Sequence, residues 1–283
     1  MSVKKLTLKS TLIPSALSEI PIAPKELYYR GTLNGLTDAP RVAIVGSRKA
    51  TSYGRAVTAK LARELAEHGV VIISGLALGI DSIAHQAALE VNGNTVAVMP
   101  CGLDRVYPAS HASLARKILA QGGALISEYP EGTAPLPHQF IARNRIISGL
   151  SDAVLITEAA INSGSLHTAN FALEQGRTVF AVPGNITSAN SAGTNNLIKS
   201  GAIPVTTVED VVTNLGLDAK TRQAALPTNA EEAILLQLLT EGVSDATLLL
   251  AQSELDPAVF NQTLTMLEIT GKIRPLGAGH WGL

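Results

Sequence analysis

Solid apolar runs separated by helical segments dominate the chain from residue 41 to about residue 205. The runs are continuously hydrophobic and do not alternate with polar positions, which predicts strands buried on both faces. Between them, apolar residues recur at helical spacing, as at Val57, Leu61 and Leu65. This pattern is typical of a doubly wound α/β fold, in which helices cover both faces of a mostly parallel sheet. The predicted strands are 42–45, 70–73, 95–99, 124–127, 153–157, 178–182 and 202–205.

The pattern changes on either side of this region. The first 40 residues contain four prolines, which argue against a long helix; one short strand is expected near Tyr28. Toward the C-terminus, three amphipathic segments and a final extended stretch form a winged-helix pattern. We therefore predict a lead-in (1–40), a main domain (41–216), a linker (217–229) and a small C-terminal winged-helix domain (230–283).

Composition narrows the possible classes of function. The chain has 283 residues, 46% of them hydrophobic, which is enough for a sizeable core. Its formal net charge of −1 argues against a polybasic binder, so any nucleic-acid site has to be local. Aromatic residues make up 4%, so any base stacking rests on one or two rings.

The chain shows no apolar run near the roughly 20 residues of a membrane span. Its first residues lead into no such run either, so we expect no signal peptide and a cytoplasmic location. Cys101 is the single cysteine, which excludes an internal disulfide and a multi-cysteine zinc site.

Small polar residues follow several of the predicted strands. In doubly wound folds the carboxyl edge of the sheet carries the ligand site, and small residues let a phosphate approach the main chain closely. Arg48 lies directly beyond the first of these strand ends. The candidate phosphate-binding residues at the strand ends are Gly46, Ser47, Arg48, Ser74, Gly75, Ser163, Gly164 and Ser165.

A cationic cluster, Arg143-Asn144-Arg145, precedes the strand at 153–157. Guanidinium groups beside exposed backbone amides are well suited to holding phosphate oxygens. Phe140 stands just before the cluster and is compatible with two positions: in the core, or stacked on an unpaired base whose phosphate the cations hold. Together these residues predict a grip on the backbone of single-stranded DNA.

The sequence gives little support for catalysis, a metal or a cofactor, and we expect none of them. The glycines at 75 and 79 do not form the glycine-rich motif of dinucleotide-binding folds. The acidic residue that binds the ribose of NAD, about twenty positions further on in such folds, is also absent. Asp81 and His85 lie four residues apart, a spacing that suits a metal or a proton relay, but we favour a structural role, either in contact with each other or in capping neighbouring loops. Ser163 and Ser165 lack the surroundings of a nucleophile.

The C-terminal residues 217–283 contain four basic and eight acidic residues. The predicted recognition helix after Asp256 contains no lysine or arginine, whereas a major-groove reader needs cations to meet phosphates. We therefore predict that this domain does not bind DNA by itself and serves contacts with protein.

The motifs taken together resemble the DprA/Smf family, the DNA-processing protein of natural transformation. The matching segments follow the family's order across residues 41 to 205. They are Val45-Gly46-Ser47-Arg48; Ser74 to Asp81 with Ala84-His85; Pro100 to Asp104 with Tyr107-Pro108; Ser127 to Pro130; Phe140 with Arg143-Asn144-Arg145; Ser163-Gly164-Ser165; and Val182-Pro183-Gly184.

The resemblance implies an extended Rossmann-like domain that binds single-stranded DNA, forms a homodimer, protects incoming strands and loads the recombinase RecA without catalysis. It also implies that Arg48, Arg143 and Arg145 hold phosphate and that Phe140 contacts a base. Two features depart from the family. Pro137 and His138 occupy a region where some members have a lysine, and the lead-in has no counterpart of the family's helical N-terminal domain.

Two other readings stay open. One is a nucleotide-hydrolysing enzyme similar to the phosphoribohydrolases, whose glycine-rich motif carries a catalytic glutamate; in this chain Phe171 stands at that position. The other is a structural scaffold, which leaves the phosphate-suited strand ends without a purpose.

Overall fold

A computed structural model describes residues 2–8, 10–33, 35–217, 229–270, 272–277 and 279–282. The described chain divides into two compact units, Met1–Leu215 and Gly216–Leu283. Residues 218–228, most of the predicted linker 217–229, lie outside the described residues. Within the described residues, no helix is long and apolar enough to cross a membrane.

A mixed sheet of nine strands forms the centre of the first unit, as counted over the described residues. Seven strands run parallel, and the first two join one edge antiparallel. Across the sheet the order is β1-β2-β6-β5-β4-β3-β7-β8-β9. The strands are β1 (Lys4–Leu6), β2 (Leu27–Gly31), β3 (Arg41–Val45), β4 (Val71–Ser74), β5 (Thr95–Met99), β6 (Ala124–Ser127), β7 (Ala153–Ile156), β8 (Thr178–Ala181) and β9 (Ile203–Pro204).

The lead-in is part of this sheet. Strand β2 pairs with β6 over four residue pairs, and β1 pairs with β2. The short strand expected near Tyr28 is therefore present, and it extends the sheet instead of standing apart from it. Leu17 and Ile20, which lie between β1 and β2, pack into the same core as the parallel strands.

Helices cover both faces of the sheet, as the solid apolar strands predict. Helices α1, α2 and α3 pack together on one face, and α4 and α5 pack together on the other. The helices of the first unit are α1 (Ser52–Glu67), α2 (Ile80–Glu90), α3 (Ala112–Ala120), α4 (Pro137–Gly149), α5 (Ser165–Glu174), α6 (Ala192–Lys199) and α7 (Glu209–Asn214).

The connectivity places a topological switch between β3 and β7. From β3 the chain proceeds through β4, β5 and β6 in one direction, then crosses back to β7 on the other side of β3. The loops after β3 and β7 therefore diverge and leave a crevice at the carboxyl edge, the usual ligand position in such sheets.

The described residues of the second unit form three helices and a two-stranded antiparallel sheet. Their bounds are α8 (Ala230–Thr240), α9 (Ala246–Ser253), α10 (Pro257–Ile269), β10 (Arg274–Gly277) and β11 (His280–Gly282). Leu235, Leu249, Phe260 and Leu267 form its small core. Asp256 caps α10 by accepting a hydrogen bond from the Ala258 amide at 2.9 Å. These are the elements that the sequence predicts, and the assignment to the winged-helix fold stays a prediction.

Candidate functional site

A hollow of about 540 Å³ lies at the switch between β3 and β7. It is bounded by the loops after both strands and by the N-terminal parts of α4 and α5. Nine of the twelve predicted site residues line it. They are Gly46, Ser47, Arg48, Phe140, Arg143, Asn144, Ser163, Gly164 and Ser165.

The loop after β3 holds its shape through close backbone contacts. The Ser47 amide donates to the Glu158 carbonyl at 2.8 Å, and the Ser47 carbonyl accepts from the Ile80 amide at 3.1 Å. Gly46 is required because a Cβ there would collide with the Glu158 carbonyl and the Ile80 side chain. The loop therefore presents Arg48 to solvent from a rigid base.

Arg48 lies over an aromatic ring at the opening of the hollow. Its guanidinium carbon is 5.2 Å from the centroid of the Phe140 ring, a cation–π distance. Tyr107 meets the same ring edge to face, with centroids 5.3 Å apart. Among the described residues no carboxylate is within salt-bridge distance of Arg48. The guanidinium is thus oriented by the ring while its charge stays available to an anion.

Arg143 occupies the floor of the hollow and is 4% exposed. Its Nη1 donates to the Gly75 carbonyl at 2.7 Å and also to the Val98 carbonyl, while Nε donates to Asn144 Oδ1 at 3.2 Å. Burial lowers the pKa of Arg143 to about 10, although the nearby Asp81 carboxyl opposes this shift. The guanidinium therefore links the loop after β4 to strand β5. It contributes positive charge to the base of the hollow but is held in place and cannot close on a ligand.

Ser74 and Gly75 do not line the hollow, unlike the other candidates at the strand ends, and their role in phosphate binding stays a prediction. The Ser74 hydroxyl is buried and donates to the Ile44 carbonyl at 2.6 Å. The Gly75 amide donates to Asp81 Oδ2 at 3.0 Å, so this amide is already occupied. A Cβ at Gly75 would fall on the Arg143 guanidinium, which explains the glycine by packing, not by phosphate approach.

Arg145 was expected beside Arg143 but does not reach the hollow. Two positions along a helix turn a side chain toward a different face, so neighbours in sequence separate in space. Arg145 is 7% exposed; it pairs with Glu128 at 2.6 Å and donates to the Ala142 carbonyl at 2.9 Å. Its role in this structure is an ion pair that ties α4 to the segment after β6.

The turn before α5 forms the opposite wall. Ser163 and Ser165 hydroxyls lie 2.8 Å apart, and Asn144 Nδ2 donates to the Gly164 carbonyl at 3.3 Å. Apart from its chain neighbours, no atom of the described residues lies within 4 Å of a Cβ built on Gly164, so the turn is open toward a ligand. Amides at the start of α5 carry the positive end of the helix dipole, which favours an anion here.

Asp81 lines the hollow, and His85 follows it one turn later on α2 without lining the hollow. Asp81 accepts hydrogen bonds from the amides of Gly75 and Ala77, and burial raises its pKa. His85 Nδ1 lies 2.7 Å from the Thr95 hydroxyl, and burial lowers the His85 pKa to about 3. The structural role preferred from sequence is confirmed for Asp81, which caps the loop after β4. For His85 it stays a prediction. We use the name floor for the buried group of Gly75, Asp81, His85 and Arg143, of which Asp81 and Arg143 line the hollow. The rim consists of Arg48, Lys49, Phe140, Ser163 and Gly164.

Sequence reasoning missed several lining residues. Lys49 is exposed and directly follows Arg48, so its charge was a signal that could have been used. Asn162 and Thr168 flank residues that were predicted, whereas Asn190 comes from the loop after β8 and had no local signal. The lining cations are Arg48, Lys49 and Arg143, against the single carboxyl of Asp81 among the described lining residues. The hollow is therefore locally positive although the chain is not.

Comparison with known proteins identifies the family. The family model described as "DNA recombination-mediator protein A" matches residues 4–216. The chain belongs to this family. The match covers the first unit from β1 to the end of α7, so the strands of the lead-in fall within the family's own region.

Curated relatives support the family assignment. Protein Smf of Escherichia coli is 49% identical over 206 residues, which cover 73% of this chain and 55% of the relative. DNA processing protein DprA of Streptococcus pneumoniae is 45% identical over 199 residues, 70% of each chain. The chain thus spans only about half the length of the E. coli protein.

Two solved structures share the fold. The X-ray structure of S. pneumoniae DprA has a TM-score of 0.70 and 43% identity, and the match covers 75% of this chain and 74% of that one. A Helicobacter pylori DprA structure, whose description concerns a single-stranded DNA binding mode, has a TM-score of 0.69 and 37% identity. That match covers 77% of this chain and 97% of that one. The Rossmann-like α/β fold expected from the resemblance is confirmed.

Proposed function

We propose that this protein binds the backbone of single-stranded DNA at the rim of the hollow and acts as a recombination mediator without catalysis. The observation that carries the proposal is the exposed Arg48 guanidinium, oriented by Phe140 beside an open hollow that also contains Lys49. Such an arrangement suits a phosphate because the cations are pre-organised and the start of α5 carries the positive end of its helix dipole.

The relatives add independent support. The H. pylori DprA structure is described in terms of single-stranded DNA binding. The present chain matches 97% of that structure's length. The family's description as a recombination mediator favours a role in handing strands to a recombinase. We propose that the recombinase is of the RecA type and that the protein acts as a homodimer.

A binding measurement with matched variants tests the proposed site. We expect Arg48→Ala to weaken binding of short single-stranded oligonucleotides about tenfold or more, because one charge-assisted contact contributes about 1.5–3 kcal/mol. The loss should be similar for all sequences, since phosphate contacts carry no sequence information. The control is Arg116→Ala, which removes an exposed arginine from α3 that does not line the hollow.

Gel shifts with single-stranded and duplex oligonucleotides would separate the outcomes. If the parent and Arg48→Ala bound single strands equally well at low salt, the proposed binding site at Arg48 would be contradicted. The mediator role needs a second assay, in which the protein speeds assembly of RecA on a strand coated with single-strand binding protein. Light scattering at increasing concentration tests the homodimer.

The absence of catalysis is part of the proposal and has its own test. Phe171 lies on α5 at the position where a related hydrolase carries its catalytic glutamate. Asp81, the carboxyl on the floor, is buried and engaged by two backbone amides. We expect no release of free base when purified protein is incubated with AMP; release above the level of an Arg48→Ala variant would favour the hydrolase.

We propose that the C-terminal unit serves contacts with protein. Helix α10 carries no lysine or arginine, and polar residues such as Asn261 and Gln262 are exposed on it. The double variant Asn261→Ala with Gln262→Ala should bind single strands and duplexes as the parent does. A clear loss of duplex binding would instead assign a DNA-reading role to this helix.

A further inference from the structure

A second hollow of about 680 Å³ lies beside the first. The two share their walls: the loop after β3 contributes Lys49 to the first and Thr51 to the second, and the loop after β8 contributes Asn190 to the first and Ser188 to the second. We call it the Glu158 hollow. Its lining residues are Thr51, Tyr53, Glu158, Pro183, Gly184, Asn185, Ser188 and Ser191.

The charge of the Glu158 hollow is opposite to that of its neighbour. Its described lining includes no lysine or arginine and one carboxylate, Glu158, which is 2% exposed. Glu158 accepts a hydrogen bond from the Thr51 amide at 2.9 Å and another from the Thr51 hydroxyl. A buried carboxylate repels a phosphate in surroundings of reduced dielectric constant. This hollow is therefore suited to the uncharged part of a nucleotide.

An aromatic ring stands at the edge of the Glu158 hollow. Tyr53 is 47% exposed, and its hydroxyl donates to the Pro183 carbonyl at 2.7 Å. The hydrogen bond anchors the far end of the ring, so little freedom is left to lose when a flat group stacks on it. Exposed aromatic rings beside a basic groove are the usual platforms for unpaired bases.

The opposite wall is also ordered in advance. Asn195 brackets Gly184, accepting from its amide at 3.1 Å and donating to its carbonyl at 3.0 Å. Asn185 Oδ1 accepts from the amide of Thr187 at 2.9 Å. The Ser188 amide donates to the Asn185 carbonyl at 3.0 Å. These bonds fix the loop that carries Asn185 and Ser188, which line the side of the hollow where the edge of a base would lie.

We propose that one base of the bound single strand enters the Glu158 hollow and stacks on Tyr53, while the adjoining phosphate lies at Arg48. The proposal rests on the proposed function and assigns it a base-binding subsite. Arg48 and Thr51 are three residues apart on one loop, a span of at most about 10 Å, so neighbouring parts of one strand reach both. The loop thus separates a phosphate position from a base position.

The test compares a short oligothymidylate with an abasic oligonucleotide of the same length. Tyr53→Ala should weaken binding of the base-bearing strand by roughly five- to a hundredfold, the range that stacking of one base contributes. It should leave binding of the abasic strand unchanged, because that strand retains every phosphate. Arg48→Ala should weaken binding of both strands.

Two further variants keep the test decisive if Tyr53→Ala folds poorly. Tyr53→Phe retains the ring and should bind both strands nearly as the parent does. Tyr53→Trp places an indole in the subsite, and its emission, measured against the background of Trp281, should fall with the base-bearing strand and not with the abasic one. Equal losses of Tyr53→Ala on both strands, or no loss on either, overturn the subsite. A parent protein that binds neither strand overturns the proposed function itself.

Discussion

The floor and the rim of the first hollow both present an arginine, but in opposite surroundings. Arg143 on the floor is buried and donates to carbonyls of Gly75 and Val98, whereas Arg48 on the rim is exposed and lies over Phe140. A buried guanidinium has to satisfy its donors within the protein, because an unpaired buried charge is very costly. An exposed one can keep donors for a ligand. Burial therefore distinguishes the arginine that supports the hollow from the arginine whose charge is available to an anion.

The largest expected effect is on stability, at the floor. Arg143→Met keeps much of the side-chain volume but removes donors to two carbonyls and a cation that favours the charged form of Asp81. We expect the free energy of unfolding to fall by about 3 kcal/mol, the scale for breaking a buried polar network. Urea denaturation measures it.

The control for Arg143→Met is the same substitution at the exposed arginine of the rim. Arg48→Met makes the same chemical change at an exposed position, where it should alter the free energy of unfolding by less than about 0.5 kcal/mol. Similar losses for the two variants would show that floor and rim do not differ in the way proposed.

A pH dependence of stability should also belong to the floor. The His85 pKa is lowered to about 3 by burial, below its usual value of 6.5. As the pH falls below 6.5, His85 binds a proton in the unfolded chain but stays neutral in the folded protein. The free energy of unfolding that is present above pH 6.5 is therefore lost progressively down to about pH 3. By linkage the loss is about 2 kcal/mol at about pH 5.

The variant His85→Gln isolates this contribution. Its unfolding free energy should fall less than that of the parent between about pH 7 and pH 5, by about 2 kcal/mol. Denaturation curves of both proteins at the two pH values give the difference. Parallel pH dependences would assign the acid sensitivity to other groups.

On the rim, the ring under Arg48 should affect affinity more than stability. Phe140→Leu retains apolar bulk but removes the cation–π contact, which contributes about 0.5–1 kcal/mol at exposed sites. We expect affinity for single strands to fall about two- to fivefold, with a smaller further loss in the background of Arg48→Ala. Fully additive losses in a double-mutant cycle would mean that the ring does not act through Arg48.

The smallest expected effect concerns Lys49. It is an exposed point charge on the rim, so Lys49→Ala should weaken binding less than about fivefold. The dependence of affinity on salt is the better readout. Loss of one phosphate contact should reduce the slope of log affinity against log salt by about 0.7 for a single strand. An unchanged slope would place Lys49 outside the phosphate path.

The sequence by itself determined the architecture of the first unit. Solid apolar runs such as Val42–Val45 and Val70–Ile73 indicate strands buried on both faces, and this signal is local to each segment. Strand β2 near Tyr28 was foreseen from sequence, but its place at the sheet edge beside β6 was not. Pairing partners depend on residues far apart in the chain.

Only the tertiary structure decided which candidate residues share one hollow. Arg143 and Arg145 are equally basic in sequence, yet one helix turns them to different faces, where Glu128 engages Arg145. Gly75 could be read as a phosphate-approach glycine until Asp81 was seen to occupy its amide. The Glu158 hollow likewise arises from the meeting of loops after β3 and β8, more than a hundred residues apart. Local patterns record what a segment buries; the charge and depth of a cavity depend on which segments the fold brings together.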